Sequence, residues 1–321
     1  MTPPGAGEPL LRARRLGFTY PDGTIALRDV DLALGLGEVV GVLGANGSGK
    51  STLLRLLAGT SRRHEGSVAR SASMTGEPAL APDRPVFRAW LTGLDNATAL
   101  LRLRGRRPAD ARAAAMAWLA RFDLGADAGR RAGTYSRGME TRLGLAVAFA
   151  SGARALLLDE PLAALDPGGR ERLVSALDGL RGEGGGALLS THDPGFAETC
   201  CDRVAFLRHG RLVAVDTPAA FLDALGQRTR IEVALAGGRP YPQGALEAAG
   251  LAASPGVRTA RPLDPDGLLL EVDDAGAALP AALERLFGAG IPVRAVRIRP
   301  PDLGEAYFAL TGTRLERAGD E

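Results

Sequence analysis

Nine consecutive residues, Gly44-Ala45-Asn46-Gly47-Ser48-Gly49-Lys50-Ser51-Thr52, have the types and spacing to hold a triphosphate. Glycines at 44, 47 and 49 let the backbone turn its amides inward around an anion without steric obstruction. A helix starting at Lys50 directs its positive N-terminal end at the phosphates, the Lys50 ammonium reaches the β and γ oxygens, and Ser51 offers a hydroxyl to Mg2+. Asn46, Ser48 and Thr52 complete the candidate ATP-contacting set. Lys50 is also the only lysine: the other 38 of the 39 basic residues are arginine. A compact ammonium therefore stands where it differs functionally from a planar guanidinium.

A second group of chemically apt residues follows the apolar run Ala155-Leu156-Leu157-Leu158, which ends in Asp159 and Glu160. A buried strand of a parallel sheet delivers such carboxylates to its C-terminal edge. Asp159 there would hold Mg2+ through water, and Glu160, one residue on, would orient or deprotonate an attacking water. The competing reading is that Asp-Glu-Pro only ends a core strand and begins a loop.

These residues need a scaffold, and the pattern supplies one. Leu10 to Tyr20 and Ala26 to Leu34 read as strands separated by the turn Pro21-Asp22-Gly23. The strand Val39 to Leu43 leads into the glycine loop and a helix from Lys50 that Gly59 ends. Between about Arg84 and Ser151 the sequence turns helical and Ala-rich, clearest at Ala111 to Arg121 and Leu143 to Ala150, which reads as an inserted helical subdomain. A helix from Gly169 to Leu180 and strands at Ala187 to Ser190 and Val204 to Arg208 restore an α/β alternation. After Gly226 the order βαββαβ is expected, with helices at Ala245 to Leu251 and Ala278 to Leu286, in a small ferredoxin-like domain over 227–312. A charged tail over 313–321 reads as disordered.

Composition bounds the function. The net charge of +2 sets 39 basic against 37 acidic residues, so no excess points to nucleic acid. Cys200 and Cys201 are adjacent, a spacing that disfavours an ordinary disulfide and fits a reducing cytoplasm. The first fifteen residues lack the basic-then-apolar order of a signal peptide, and no run of 18 apolar residues is present.

Leu158-Asp159-Glu160-Pro161, Ala164-Leu165-Asp166 and Ser190-Thr191-His192-Asp193, with the glycine loop ahead of them, resemble four motifs of ABC ATPases in the family's order. Tyr135-Ser136-Arg137-Gly138-Met139 is similar in part to the family's signature loop. The resemblance implies a P-loop NTPase (RecA-like) α/β core, an antiparallel β subdomain and the inserted helical subdomain, within an ATPase domain over 1–226. It implies that Ser136 and Gly138 bind the γ-phosphate of ATP held by a second copy of the chain. It makes His192 the switch histidine, Asp166 a dimer-interface aspartate and Tyr20 the aromatic that stacks on adenine. Each has a plainer alternative: Ser136 and Asp166 as helix N-caps, His192 as a structural hydrogen-bonder, Tyr20 as a hairpin aromatic.

The sequence also departs from the family. A glutamine usually ends the strand that enters the helical subdomain; here the matching position looks like Gly76, with Glu77 beside it, and no glutamine precedes Gln227. Its role is absent, moved to Glu77 or taken by another group. Arg137 and Met139 replace a usual glycine and glutamine. The ending Pro301 to Gly312 is similar to those of exporter ATPases whose permease is a separate chain. That resemblance implies an exporter ATPase acting as a homodimer, cytoplasmic and peripheral on the inner face of the membrane through its permease. The alternative is a soluble regulatory or nucleic-acid-associated ATPase with weak hydrolysis.

Overall fold

The computed structural model describes residues 8–61, 63–72, 74, 76–225, 229–236, 250–263, 267–313 and 315. The chain divides into two compact units, Met1–Pro218 with Tyr307–Glu321, and Ala219–Ala306. The domain boundary expected at Gly226 lies outside the described residues. From Tyr307 onward the chain belongs to the first unit, not to the domain drawn over 227–312. Leu315, assigned by composition to a disordered tail, is buried.

In the first unit, β1 (Leu11–Thr19) and β2 (Ile25–Leu34) form the expected hairpin. Its turn closes by Gly23 N–H donating to the Tyr20 carbonyl (2.9 Å), with Gly23 at φ 86° where a side chain would be strained. β4 (Glu65–Arg70) pairs with β1, completing a three-stranded antiparallel sheet. The second sheet contains β3 (Val39–Leu43), β5 (Ala79–Ala81), β6 (Ala155–Leu158), β7 (Gly186–Thr191), β8 (Arg203–Arg208) and β9 (Arg211–Asp216), ordered β5-β6-β7-β3-β8-β9. Its first five strands pair in parallel and β9 closes the edge antiparallel to β8. β3, β6 and β7 are buried along their whole length, as continuous apolar runs inside a parallel sheet must be. Parallel pairing also sends the C-terminal ends of β3, β6 and β7 to one edge, which is why the glycine loop, Asp159-Glu160 and His192 can meet.

α1 (Lys50–Leu57) follows β3 and buries Leu53, Leu54, Leu56 and Leu57 against both sheets. The helical insertion consists of α2 (Gly93–Leu103), α3 (Pro108–Arg121) and α4 (Arg137–Ala150). It is held by a cluster of Trp118, Phe122 and Phe149, with the Trp118 and Phe149 rings stacked at 5.0 Å. Asn96, buried in α2, accepts from Arg88 N–H and donates to the Arg88 and Thr92 carbonyls, fixing the chain's entry into the insertion. α5 (Pro167–Gly182) and α6 (Pro194–Cys200) connect the later strands, and both cysteines are free and buried. α7 (Pro218–Ala224) leads out of the unit.

The second unit carries a four-stranded sheet of β10 (Thr229–Leu235), β11 (Val257–Leu263), β12 (Gly267–Val272) and β13 (Val293–Arg299), ordered β11-β12-β10-β13 with every neighbour antiparallel. Alternation places Ile231, Val233, Leu268, Leu270 and Val272 on one face, where α8 (Ala275–Gly288) covers them with Ala278, Ala282 and Leu286. Of the helix expected at Ala245 to Leu251, residues 245–249 lie outside the described residues, and Leu251 opens a short 3-10 turn. α9 (Leu303–Thr311) is the last described helix.

Candidate nucleotide-binding and hydrolytic site

The glycine loop is shaped by what lies behind it. A Cβ on Gly44 would come within 2.3 Å of the Leu207 carbonyl oxygen, and one on Gly49 within 2.5 Å of the Ala26 carbonyl. Gly47 and Gly49 adopt φ of 75° and 108°. Only glycine fits at 44 and 49, and the loop is pinned further where Gly210 N–H donates to the Ser48 carbonyl (2.9 Å). α1 has Gly49 as its N-cap, no side-chain cap and no acidic residue in its first turn, so its leading amides stay available to an anion. Ser48 Oγ is buried without a hydrogen-bond partner among the described residues. Asn46 and Gly47 are exposed at the loop tip.

Lys50 is buried, which an ammonium tolerates only with partners. It donates to the Gly44 carbonyl (2.6 Å) and the Ala45 carbonyl (3.3 Å), and stands 3.5 Å from Glu160 Oε1. The loop's own carbonyls and Glu160 hold the amine where phosphate oxygens would otherwise attract it. Ser51 Oγ donates to Asp159 Oδ1 at 3.0 Å, and Ser190 Oγ donates to the same oxygen at 2.7 Å. A hydroxyl and a carboxylate this close are hard oxygen donors of the kind a divalent cation takes, so the residues fit Mg2+.

Glu160 sits at φ 46°, a left-handed conformation uncommon for a residue with a side chain, held by its N–H donating to Ser190 Oγ (2.8 Å). That turn aims the carboxylate at Lys50 on one side and at His192, whose Nδ1 lies 2.9 Å from Glu160 Oε2, on the other. Burial by itself would raise the Glu160 pKa; the His192 hydrogen bond and the Lys50 charge outweigh it and leave the carboxyl below its ordinary value. The hydrogen bond that His192 donates to Glu160 in turn holds the imidazole above its ordinary value against the opposing effect of burial. A carboxylate kept below its ordinary pKa and aimed by the Lys50 charge and the His192 hydrogen bond can accept a proton from water or orient it.

Lys50, Ser51, Asp159, Glu160 and His192 are thus brought together as anticipated, with Ser190 as a shared anchor that sequence reading treated only as part of a motif. Tyr20 is half-buried, edge-on to Phe18 (4.9 Å), and its hydroxyl shares a hydrogen bond with Thr52 Oγ1 (2.8 Å), so it lies on the flank of α1. Ser136 and Gly138 make no hydrogen bond or ion pair to this cluster among the described residues. Ser136 caps α4, accepting from Met139 N–H at 3.3 Å, and a Cβ on Gly138 would meet the Ala164 carbonyl at 2.8 Å. Asp166 caps α5, accepting from Gly169 N–H at 2.7 Å. The capping alternatives for Ser136 and Asp166 therefore hold in the single chain, and a cap can still face an anion from outside.

The position read as the missing glutamine moves. β5 is the strand entering the helical insertion; it pairs Leu80 with Leu157, and Asp159 N–H donates to the Ala81 carbonyl (2.8 Å). Gly76 and Glu77 precede this strand, and the Glu77 carboxylate pairs with Arg70. The residues leaving the strand beside Asp159 are Pro82 and Asp83. Asp83 lies 3.5 Å from Arg137 of the signature-like loop. The three residues of β5 are too few to show their alternation in the sequence, so the strand's end is not legible there.

Comparison with known proteins agrees with this geometry. The ABC transporter family matches residues 27–163. The fluoroquinolones export ATP-binding protein of Mycobacterium tuberculosis is 36% identical over 70% of this chain and 77% of its own length. The daunorubicin/doxorubicin resistance ATP-binding protein DrrA of Streptomyces peucetius is 33% identical over 91% of this chain and 89% of its own. Among solved structures, an ATP-binding subunit of an ABC transporter superposes with a TM-score of 0.61 at 26% identity, covering 67% of this chain and 93% of that one. A dimeric ATP-binding cassette in a post-hydrolysis state, bound to ADP and Pi, shares the fold with a TM-score of 0.59 at 24% identity over 64% of this chain and 98% of that one. With its phosphate loop, its Asp159-Glu160 pair and His192 set on such a cassette, the chain belongs to the ATP-binding subunits of ABC transporters and is an ATPase.

Proposed function

We propose that this chain is the ATPase of an exporter whose membrane-spanning permease is a separate polypeptide. The observation that carries the hydrolytic part is the chain of contacts Ser51–Asp159–Ser190–Glu160–His192, buried at Asp159 and Ser190, with Lys50 beside it, because each polar group is held by another before any nucleotide arrives. ATP lies with its phosphates in the loop from Gly44 to Thr52 and its adenine against Tyr20. Ser51 and Asp159 hold Mg2+, which when bound offsets phosphate charge and polarises the γ-phosphate. Glu160 orients and deprotonates the attacking water, and His192 keeps that carboxylate ionised and in place. Two copies associate head to tail, so that Ser136 and Gly138 of one face the γ-phosphate held by the other, with Asp166 at the interface. Closure on ATP and reopening after hydrolysis move the permease.

Export is supported by the relatives named for fluoroquinolones and daunorubicin/doxorubicin, which align over most of their own length. No helix among the described residues is long and apolar enough to cross a membrane, which leaves the passage to a partner. The place proposed is the cytoplasmic face of the membrane, the second unit, Ala219–Ala306, serves as an accessory domain, and nucleic acid is not a partner. ATP turnover of the purified chain, alone and with a co-expressed membrane protein carrying several apolar spans of about 20 residues, tests the reading. Turnover that responds to the membrane protein is expected. Turnover near background in both cases favours a regulatory ATPase with weak hydrolysis.

A further inference from the structure

The hydrolytic cluster does not account for the floor beneath the glycine loop. Tyr307, in the half of α9 that belongs to the first unit, is fully buried, one of the largest side chains to be so. Its ring stands edge-on to Phe206 of β8 with centroids 5.4 Å apart and planes at 83°. Its hydroxyl donates to the Leu207 carbonyl at 3.3 Å and lies 3.5 Å from the Ala45 N–H, which points at it. Leu207 O is the same carbonyl on which Gly44 is packed so closely that no Cβ would fit. Thr311 Oγ1 donates to the Tyr307 carbonyl at 2.7 Å, fixing the turn of helix that carries the ring.

These contacts converge on one peptide plane. The peptide joining Gly44 to Ala45 presents its carbonyl to the Lys50 ammonium and its N–H to the Tyr307 hydroxyl. Rotating that plane would turn the carbonyl away from Lys50 and the amide out of its place at the start of the anion nest. A phosphate loop binds most tightly when its peptides are already oriented, because the ordering cost is then not charged against the ligand.

We propose that Tyr307 is a positioning residue for the phosphate loop: its hydroxyl fixes the Gly44–Ala45 peptide and so raises affinity for ATP. The ring and the hydroxyl have separable effects. Tyr307→Phe keeps the edge-on packing and removes the bridge. Phe206→Leu keeps the hydroxyl and removes the ring contact.

Fluorescent ATP titration and thermal melting of the full chain, with wild type and Lys50→Ala alongside, test this. Lys50→Ala reports separately whether the loop is where ATP binds. Tyr307→Phe should weaken ATP binding about three- to tenfold, the range for the lost bond to the Ala45 amide, raising KM while kcat holds, and should lower the melting temperature less than Phe206→Leu does. Phe206→Leu should lower the melting temperature with a smaller change in affinity. Affinity of Tyr307→Phe within about twofold of wild type, or affinity and melting temperature falling in parallel in both variants, would overturn the assignment and leave Tyr307 as core packing only.

Discussion

The two helix N-termini assigned to phosphate differ in how much of their work is done in the single chain. At α1 the loop is locked from below, Lys50 is buried among three acceptors, and Glu160 and His192 are joined at 2.9 Å. At α4 the equivalent groups lie open: Ser136 and Arg137 are exposed, and Arg137 has a surface partner in Asp83. The first is a half-site whose polar groups are already held against one another. The second is a capped helix end that makes no hydrogen bond or ion pair to that cluster among the described residues, as a surface facing another copy's nucleotide would.

The contrast can be broken most severely at Lys50. Lys50→Ala removes the one ammonium of the organised half and takes from Glu160 its cationic neighbour; ATP turnover should fall by about a hundredfold or more. Turnover within tenfold of wild type would mean that the loop amides alone suffice.

A middle-sized effect belongs to the His192–Glu160 pair. His192 titrates above its ordinary 6.5 because Glu160 accepts from it, so its stabilising contribution is complete below about 6.5 and is lost as pH rises through the raised value. Glu160, lowered from 4.5, contributes above that pH and loses its contribution as pH falls through its own depressed value. In an NMR titration of the nucleotide-free chain, His192 should titrate above 6.5 and drop back in Glu160→Gln. An unmoved His192 would show that the imidazole is set by something other than this carboxylate.

The smallest effect is expected at the open half. Asp83 and Arg137 keep 35% and 57% of their side-chain surface exposed, so Asp83→Asn should shift folding stability by no more than about 0.5 kcal/mol in a urea titration. A larger loss would make the two helix ends alike and remove the contrast.

Legibility in the sequence follows the same division. The phosphate loop, Asp159, Glu160 and His192 stood out because the buried strands before them are unbroken apolar runs and the residues after them are short motifs. β3 and β6 begin and end at the expected residues. β4 and β9 were missed because edge strands here are mixed in polarity: Glu65 to Arg70 is almost wholly exposed and Arg211 to Asp216 half so. The first turns of α4, Arg137 to Arg142, are mostly polar, so its apolar pattern is clear only from Leu143. The bridge through Tyr307 could not be read at all, since it joins residues 262 apart in the chain and only the folded β8 edge brings them together.

The central claim is that one ATP is shared between an organised half and an open half, and assembly state reads it most directly. Glu160→Gln should bind ATP without consuming it and shift from monomer to dimer when ATP is added, measured by light scattering on a sizing column. Adding Ser136→Asp keeps an equally good helix cap, and so the fold, but sets a carboxylate against the γ-phosphate. The account predicts that Glu160→Gln dimerises with ATP and that the double variant, with unchanged melting temperature and ATP affinity, remains monomeric. A double variant that dimerises as readily as Glu160→Gln would contradict it.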